Sequence, residues 1–508
     1  MPAVAPHDRP ATRRNRAPGR RSALPAGRPG GGPREAVVAA ATGLLVAVLG
    51  PALAGCGATS GPVRAPVEIP ERFSESGEGA LPERWWTLFG DAQLTTLVER
   101  ALAANLDLQV AWDRLRQAEA VARKAGADFY PTVDASAGLG YAFSSSGGGP
   151  DLGAGLAAGY EVDLWGRVRS TADAAQLDAQ AARDAVDVAA ISVAAQVATL
   201  WFQLVEQRAQ LELLERQLER NRNVLELVEL RFAIGLAGAA DLLRQRQVLE
   251  AARGDRARLE ASVGTLELGL AVLLGRPPGA PVAEPVAVLV EPPLLPATGL
   301  PAELLRRRPD VRQAWHVLLA ADRRVAAAVA DRYPRLSLSA RAEVGYDARA
   351  EFGIGWLASL AANLLAPLFD GWKREAEVER TEAVASAALH TYGLELLGAF
   401  AEVEEALVRI RNQEELLEGL EQQLALARST VEQARASYAR GAVSYLQVLE
   451  AVQTEQTLER TQLTARRELL LYVVALCRAL AGGWTPEPAD AEGPSATPEE
   501  PAPQSEDR

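Results

Sequence analysis

Few side chains in this sequence are placed to do chemistry. The chain of 508 residues has two cysteines and three histidines. Cys56 and Cys477 lie far apart, and His7, His316 and His390 lack the spacing of metal ligands. His316 and His390 have no acidic or thiol neighbours at a useful spacing, so surface or packing roles are predicted, and Cys477 is predicted to be a buried thiol. Phosphate-binding loops and nucleophile elbows are absent, so the sequence predicts no cofactor, no metal site and no enzyme.

Cys56 stands where a covalent modification would be expected. Residues 1–35 hold eight Arg and two acidic residues, and residues 36–54 are almost wholly apolar. A basic region, an apolar core and small residues before a cleavage point are typical of a secretory signal. The Leu-Ala-Gly-Cys sequence that ends at Cys56 resembles the lipobox of bacterial lipoproteins, in which the cysteine is lipidated, and Gly57 is not the Asp of inner-membrane retention. The alternative is an N-terminal transmembrane helix, for which the apolar run is short.

The composition favours long helices in a chain that is soluble or interfacial over most of its length. Charged residues make up 23% of the chain, aromatic residues only 5%, and the formal net charge is −13. Alanine and leucine dominate, and both favour helices. The acidic balance argues against a nucleic-acid partner.

An internal repeat organises the chain. Pairs of similar landmarks recur at an offset that stays between 203 and 206 residues. The landmarks are Tyr130-Pro131 with Tyr333-Pro334, Trp165-Gly166 with Asp370-Gly371, Phe232 with Tyr438, Gly235 with Gly441, and Leu274 with Leu480. The sequence therefore predicts two copies of one structural unit.

Each unit is predicted to contain one very long helix that packs against a partner helix. Apolar residues recur every seven positions from Val197 to Phe232 and from Leu389 to Tyr438, which indicates left-handed supercoiling. A second seam on the first of these helices includes Gln207 and Asn221, so one flank of that helix is predicted to face water. A helix of about 64 residues is roughly 96 Å long. The predicted helices span residues 92–126, 168–231, 239–273, 301–331, 374–438 and 444–481.

Four long strands are predicted, two in each unit, within residues 131–165 and 334–370. Apolar and small or polar residues alternate strictly, with Val133 to Phe143 on one face and Thr132 to Gly140 on the other. Alternation over about 13 residues is typical of a transmembrane strand with an apolar face to lipid and a polar face to a lumen. The alternative is a half-buried soluble sheet.

The strand count predicts an oligomer. Four strands cannot close a barrel, and an open edge is not tolerated in lipid, where unpaired backbone groups have no water to bind. The smallest barrels have about eight strands. Two copies would pool eight strands and three copies would pool 12, so several protomers are predicted to share one barrel.

The combined features resemble the outer-membrane efflux protein family, the TolC-like channels, in its lipoprotein branch that serves resistance-nodulation-division pumps. The resemblance rests on the lipobox, the duplicated strand pairs and hairpins, the two turns that contain Gly235 and Gly441, and the Leu-Arg-Arg-Arg-Pro-Asp-Val segment ending at Val311. It implies a mixed α and β membrane protein. In such a protein, four transmembrane strands per protomer complete a 12-stranded trimeric barrel above a long periplasmic α-helical coiled-coil barrel.

The resemblance also implies a location, partners and a gate. It implies an outer-membrane homotrimer in contact with lipid, which docks a periplasmic adaptor through the hairpin tips at Phe232, Gly235 and Gly441 and works with an inner-membrane pump. The residues that match gate positions of the family are Asp241, Tyr438, Glu450 and Gln447. A Tyr438 hydroxyl donating to Asp241 would make a breakable lock, and three copies of Glu450 would attract cations. Some relatives carry a second acid at the position of Gln447, and some carry an Arg at that of Val443, so the resemblance implies a gate here that is weaker or less cation-selective.

The sequence thus predicts a passive exit duct for small molecules, drugs or metals, delivered by a pump. The predicted divisions are a lipoprotein signal peptide (1–55), a lipid-anchored equatorial segment (56–91), a first repeat (92–275), a Pro-rich linker (276–300), a second repeat (301–482) and a disordered acidic tail (483–508). Two alternatives stay open: an exit duct for polypeptides in a type I secretion system, and a lipid-anchored structural coiled-coil protein with no pore. The choice of substrate is expected to lie mainly in the pump.

Overall fold

The computed structural model describes residues 66–144, 147–347 and 354–480, which belong to one unit of the chain. The predicted signal peptide, the lipidation site at Cys56 and the acidic tail lie outside the described residues. Within them, the chain alternates between helices and paired strands in the same order twice.

The helices and strands follow the internal repeat closely. The helices are α1 (Ala92–Ala104), α2 (Leu106–Ala127), α3 (Arg167–Ala233), α4 (Ala239–Leu273), α5 (Pro301–Arg307), α6 (Pro309–Ala330), α7 (Lys373–Ala439) and α8 (Tyr445–Leu480); the strands are β1 (Thr132–Ser144), β2 (Gly147–Val162), β3 (Arg335–Asp347) and β4 (Ile354–Leu365). Helices α2 and α6 and strands β1 and β3 are offset by 203 residues, and α3 and α7 by 206. Helices α3 and α7 each have 67 residues, which is about 100 Å of helix.

The helices predicted as continuous over 92–126 and 301–331 are each broken, which corrects the prediction. The breaks lie at Asn105 and Arg308, equivalent positions with extended backbone between helices. The Asn105 side chain accepts a hydrogen bond from the Leu108 backbone and begins α2. Arg308 precedes Pro309, whose ring disfavours helical backbone at the residue before it.

The strands form one antiparallel sheet in the order β1-β2-β3-β4. Its register places Ala135, Leu156, Ala342 and Ala358 side by side, so the apolar residues of all four strands share one face. The opposite face carries Asp134, Arg341 and Glu343, and Arg341 lies 3.3 Å from Glu343. Within the described chain no strand lies beyond β1 or β4, so both outer edges of the sheet are unpaired.

The main apolar core lies midway along the long helices, away from the sheet. Trp85 and Trp86 precede α1 and are buried with Trp201 and Phe202 of α3. The indole nitrogen of Trp201 donates to Asp91, 2.7 Å away, whose carboxylate also caps α1. Residues 276–300 pack along this core, and Leu295 and Ala297 pair with Gly79. A side chain at Gly77 would lie 2.0 Å from the Leu295 carbonyl oxygen, so only glycine fits there.

Candidate functional site

The two hairpin tips are built alike. Gly235 follows α3 and Gly441 follows α7, with φ of +75° and +77°. At each tip the glycine N–H donates to the carbonyl three residues back, and the next residue donates to the carbonyl five residues back. This is the Schellman arrangement, in which a left-handed glycine ends a helix and satisfies its last carbonyls. The turn chemistry therefore fixes where both hairpins end.

The surfaces of the two tips differ. Apolar side chains at the first tip are exposed, and they are Leu230, Phe232, Ile234 and Leu236. At the second tip, Tyr438 is only partly exposed, and its ring lies under the guanidinium of Arg231, 4.4 Å from the ring centroid. The first tip thus presents an apolar surface, whereas the second tip contacts the first hairpin through Tyr438 and Arg231.

Asp241 and Tyr438 lie near the tips, where the sequence places them, but they are not bonded to each other. Asp241, in the first turn of α4, pairs with Arg244 at 3.6 Å. The Tyr438 ring lies 5.8 Å from that of Tyr445. Among the described contacts of one protomer, no hydrogen bond joins Asp241 to Tyr438. The lock between them therefore stays a prediction.

Gln447 and Glu450 are both exposed on the first turns of α8. They follow the buried Tyr445, which is the first residue of this helix. The position of both side chains therefore depends on how the start of α8 is held.

A buried ladder of amide side chains between α3, α4 and α8 was not predicted. The predicted water-facing flank of α3 is wrong at Asn221, which is only 4% exposed. The backbone carbonyl of Asn221 accepts from Gln245 at 2.8 Å, and its side-chain oxygen accepts from Gln456 at 3.5 Å. Farther along α3, Gln217 donates to Glu459 at 2.9 Å, and Gln210 donates to Glu206 and to the Arg460 carbonyl. The available signal was the seven-residue spacing of Gln210 and Gln217, because each directly precedes a member of the first apolar series, Leu211 or Leu218, and therefore flanks the seam of the coiled coil.

Helices α3 and α6 are joined by a buried charge cluster, which corrects the role predicted for His316. The Nδ1 atom of His316 lies 2.6 Å from Asp184, which is 132 residues away in sequence. Arg312 donates to Asp184 at 2.9 Å and to Asp187 at 2.7 Å. Burial raises the pKa of Asp187 above its ordinary value, although the charge of Arg312 acts in the opposite direction. This cluster fastens the second repeat to the first.

The Leu-Arg-Arg-Arg-Pro-Asp segment owes its structural role to Arg308. Its guanidinium is buried and donates to Asp310 at 2.5 Å, to Glu402 of α7 at 2.9 Å and to the Ala479 carbonyl of α8 at 3.2 Å. Burial favours the neutral form of Asp310, but the hydrogen bond and charge of Arg308 outweigh it and lower the pKa of Asp310. Arg308 therefore holds three helices together at the break between α5 and α6.

Within the residues that the structure describes, no group of His, Cys, Asp and Glu is arranged to hold a metal ion. Cys477 is a free, fully buried thiol in the core, and burial raises its pKa to about 12. The prediction of a buried thiol at Cys477 is confirmed. The features of this chain are thus a sheet with two open edges, a pair of long hairpins and polar groups at their tips.

Comparisons with known proteins agree with this architecture. The family model described as outer membrane efflux protein matches residues 97–276 and 300–482. The pyoverdine export outer membrane protein OpmQ of Pseudomonas aeruginosa is 33% identical over 451 residues, which cover 85% of this chain and 95% of OpmQ. The cation efflux system protein CusC of Escherichia coli K12 is 28% identical over 448 residues, which cover 85% of this chain and 97% of CusC.

The fold is also that of solved channels. The structure of the outer-membrane channel OprN superposes with a TM-score of 0.77 at 28% identity, covering 85% of this chain and 100% of that chain. The resemblance read from the sequence is therefore confirmed, as is the mixed fold of membrane strands and long helices. The chain belongs to the outer membrane efflux protein family, and it is an outer-membrane channel of an efflux system with its long helices in the periplasm.

Proposed function

We propose that three copies of this chain close one 12-stranded barrel in the outer membrane and one helical tunnel below it. The observation that carries the proposal is the open sheet: β1 and β4 are outer strands with unpaired edges within the described chain. Lipid offers no hydrogen bonds to such edges, so β1 of one protomer must pair with β4 of the next. Exposed Leu139, Phe143, Trp356 and Leu360 fit a surface that faces lipid.

The duct is passive, and its partners supply the driving force and the choice of cargo. Channels of this family are not enzymes, and relatives export pyoverdine or cations according to their names. We propose that an inner-membrane pump and a periplasmic adaptor deliver small molecules, drugs or metal ions, to this channel. The exposed apolar tip around Phe232 and Gly235, with Gly441 at the second tip, suits adaptor docking.

The gate is proposed to lie at the tips. Within one protomer Asp241 contacts Arg244, and Tyr438 contacts Arg231. We therefore propose that the lock joins Tyr438 of one protomer to Asp241 of its neighbour. Exposed Glu450 would form a ring of three carboxylates in the trimer, a surface that attracts cations. With Gln447 in place of a second acid, the ring has a lower charge.

The six divisions predicted from the sequence stay part of this proposal. The signal peptide (1–55), lipidation at Cys56 and the acidic tail (483–508) concern residues outside the described ones. The linker (276–300) and the described part of the equatorial segment (56–91) support the proposal, because they meet at Gly79 beside the core of the long helices. The two repeats then form the walls of the duct.

Cysteine cross-linking between strands tests the shared barrel. Ser136→Cys in β1 is combined in turn with Ser359→Cys, Ala361→Cys or Asn363→Cys in β4, all on the polar face. The natural Cys477 is fully buried, so it does not interfere. Oxidation of the membrane-embedded protein should link neighbouring protomers into covalent trimers on a denaturing gel for at least one pair.

The matched control is Gly159→Cys with Ser339→Cys, which face each other in β2 and β3 of one protomer. This pair should form a disulfide without changing the size of the chain on the gel. Monomers for every β1–β4 pair, together with no single-channel currents in planar bilayers, would favour a structural coiled-coil lipoprotein. Trimers that conduct and that a co-expressed type I secretion system uses for a polypeptide would favour the protein-export duct.

A further inference from the structure

One buried hydrogen bond ties the gate end of the second hairpin to the first. The Tyr445 hydroxyl donates to the side-chain oxygen of Gln245 at 2.5 Å, across 200 residues of sequence. Tyr445 is 4% exposed and Gln245 is 1% exposed. Gln245 donates to the backbone carbonyl of Asn221, and Gln456 donates to the Asn221 side-chain oxygen, so the four residues form one connected set across α3, α4 and α8. We call these four residues the clasp.

Burial makes the Tyr445–Gln245 hydrogen bond stronger than one exposed to water. Removal of one partner costs free energy, because it leaves the other buried polar group without a hydrogen bond. Tyr445 packs with Val228 and Leu449, and the Tyr438 ring lies beside it. Burial, together with the neighbouring Tyr438 and Asp241, raises the pKa of Tyr445 above its ordinary value. The hydroxyl therefore keeps its proton and stays a donor.

The packing beside the clasp is not a continuous apolar core. A cavity of about 490 Å³ lies between α3, α4 and α8, and its lining includes Gln217, Asn221, Gln453 and Gln456. Apolar contacts of Tyr445 and Leu449 with Val228 hold the start of α8 to α3, and this partly polar gap interrupts the packing beside them. The clasp adds a directional tie at the edge of the gap.

The clasp occurs once although the hairpins occur twice. At the positions 206 residues away, Tyr445 is replaced by Ala239 and Gln245 by Ala451. Asn221 corresponds to Ala427 and Gln456 to Glu250. The bonded set therefore cannot form at the repeat-equivalent place, and the clasp distinguishes one interface between hairpins from the other.

The position of the clasp along α8 gives it a consequence for the tunnel end. Tyr445 is the first residue of α8, and exposed Gln447 and Glu450 follow two and five residues later. A helix start that is fixed through Tyr445 fixes the direction in which those two side chains point. Tyr445 is thus placed as a positioning residue for the gate.

We propose that the clasp holds the channel closed, with the Tyr445–Gln245 hydrogen bond fastening the gate end of the second hairpin to the first hairpin in each protomer. Loss of the bond lets the three gate ends move apart. The inference rests on the proposed function as a trimeric duct. It adds an internal tie to the lock proposed between Asp241 and Tyr438.

Single-channel recording of the full-length protein in planar bilayers tests the clasp. Tyr445→Phe removes the hydroxyl, keeps the ring and leaves the Gln245 oxygen unpaired. The ratio of open to closed time should rise about 5- to 10-fold, the shift expected for one lost buried hydrogen bond. Tyr472→Phe, on the same helix but far from the tip, is the matched control and should leave the ratio unchanged.

A second variant separates the bond from a general loss of packing. Gln245→Met keeps the length of the side chain but removes both the acceptor for Tyr445 and the donor to the Asn221 carbonyl, so it should raise the ratio by at least the same factor. The double variant should then do no more than the stronger single variant, because both changes break the same bond. Heat-resistant trimer on a gel should be equally abundant in all variants.

Three results would overturn the inference. Wild-type currents with an unchanged ratio in both single variants would overturn the clasp and leave the duct standing. Effects of the two variants that multiply in the double variant would show independent sites and no shared bond. Absence of wild-type currents, together with monomers in the strand cross-linking, would remove the proposed duct and the clasp with it.

Discussion

At the scale of single residues, Arg308 shows how a sequence signature acquires a physical reason. The sequence marks its segment as typical of a family branch but assigns it no contact. In the structure, the buried guanidinium donates hydrogen bonds to Asp310, to Glu402 and to the Ala479 carbonyl at the end of α8. Pro309 explains the break in the helix, while the partners of Arg308 lie 94 and 171 residues away and left no local signal.

Arg308→Ala should destabilise the assembled protein by roughly 3 kcal/mol, because it leaves the Asp310 carboxylate without its cation and removes the side-chain donor to the Ala479 carbonyl. A lower thermal denaturation midpoint of the detergent-solubilised trimer is the measurement. Arg306→Ala is the control, because Arg306 is an exposed residue of α5, the short helix that ends just before Arg308. Equal midpoints for the two variants would contradict the role assigned to Arg308.

At the scale of elements, periodicity predicted most of the helices and strands. The long helices were expected over 168–231 and 374–438 and run from Arg167 to Ala233 and from Lys373 to Ala439. A helix or strand that buries one face along its whole length repeats apolar residues every seven or every two positions. Such a repeat is visible within the segment itself, without knowledge of what the segment packs against. The bond between His316 and Asp184 could not be read, since it depends on α6 packing against α3.

The Arg312 cluster between α3 and α6 predicts a stability loss that depends on pH. Arg312→Met leaves the buried carboxylates of Asp184 and Asp187 without their cation, which should cost about 3–5 kcal/mol at pH 8. Burial already raises the folded-state pKa of Asp187 above its unfolded value, so protonation favours the folded state. The loss should therefore shrink as pH falls from 8 towards 5, because the buried Asp187 carboxyl group binds a proton more readily than it does in the unfolded chain.

Thermal denaturation at several pH values measures this effect. Arg324→Met is the matched control, because Arg324 pairs with Asp178 between the same two helices but on an exposed surface. It should cost less than about 1 kcal/mol and show little dependence on pH. A loss for Arg312→Met that is equal at pH 5 and pH 8 would contradict the role of the buried carboxylates.

At the scale of the whole molecule, one protomer is incomplete as a membrane protein. Its sheet has two unpaired edges within the described residues, and large apolar side chains such as Leu360 and Trp356 are exposed. The sequence predicted this incompleteness from the number of strands. It could not predict the clasp, because the bond between Tyr445 and Gln245 breaks the repeat on which the sequence argument relied.

The shared barrel also predicts which face of the sheet tolerates charge. Ala342 lies on the apolar face near the middle of β3, and Ser339 lies on the opposite face of the same strand. An arginine at the middle of a lipid-facing strand costs about 2–4 kcal/mol, whereas a lumen-facing position remains in water. Ala342→Arg should therefore lower the yield of membrane-inserted, heat-resistant trimer, and Ser339→Arg should preserve it.

The ion selectivity of the open channel is a second way to distinguish the lumen-facing side of β3 from the lipid-facing side. Ser339→Arg adds three positive charges to the lumen of the trimer, so it should shift the preference of the open channel away from cations. Two independent measurements, trimer assembly and ion selectivity, then show which face of β3 contacts lipid and which faces the lumen. Assembly lost with Ser339→Arg but kept with Ala342→Arg would reverse the faces, and equal tolerance of both changes would place the sheet outside the lipid.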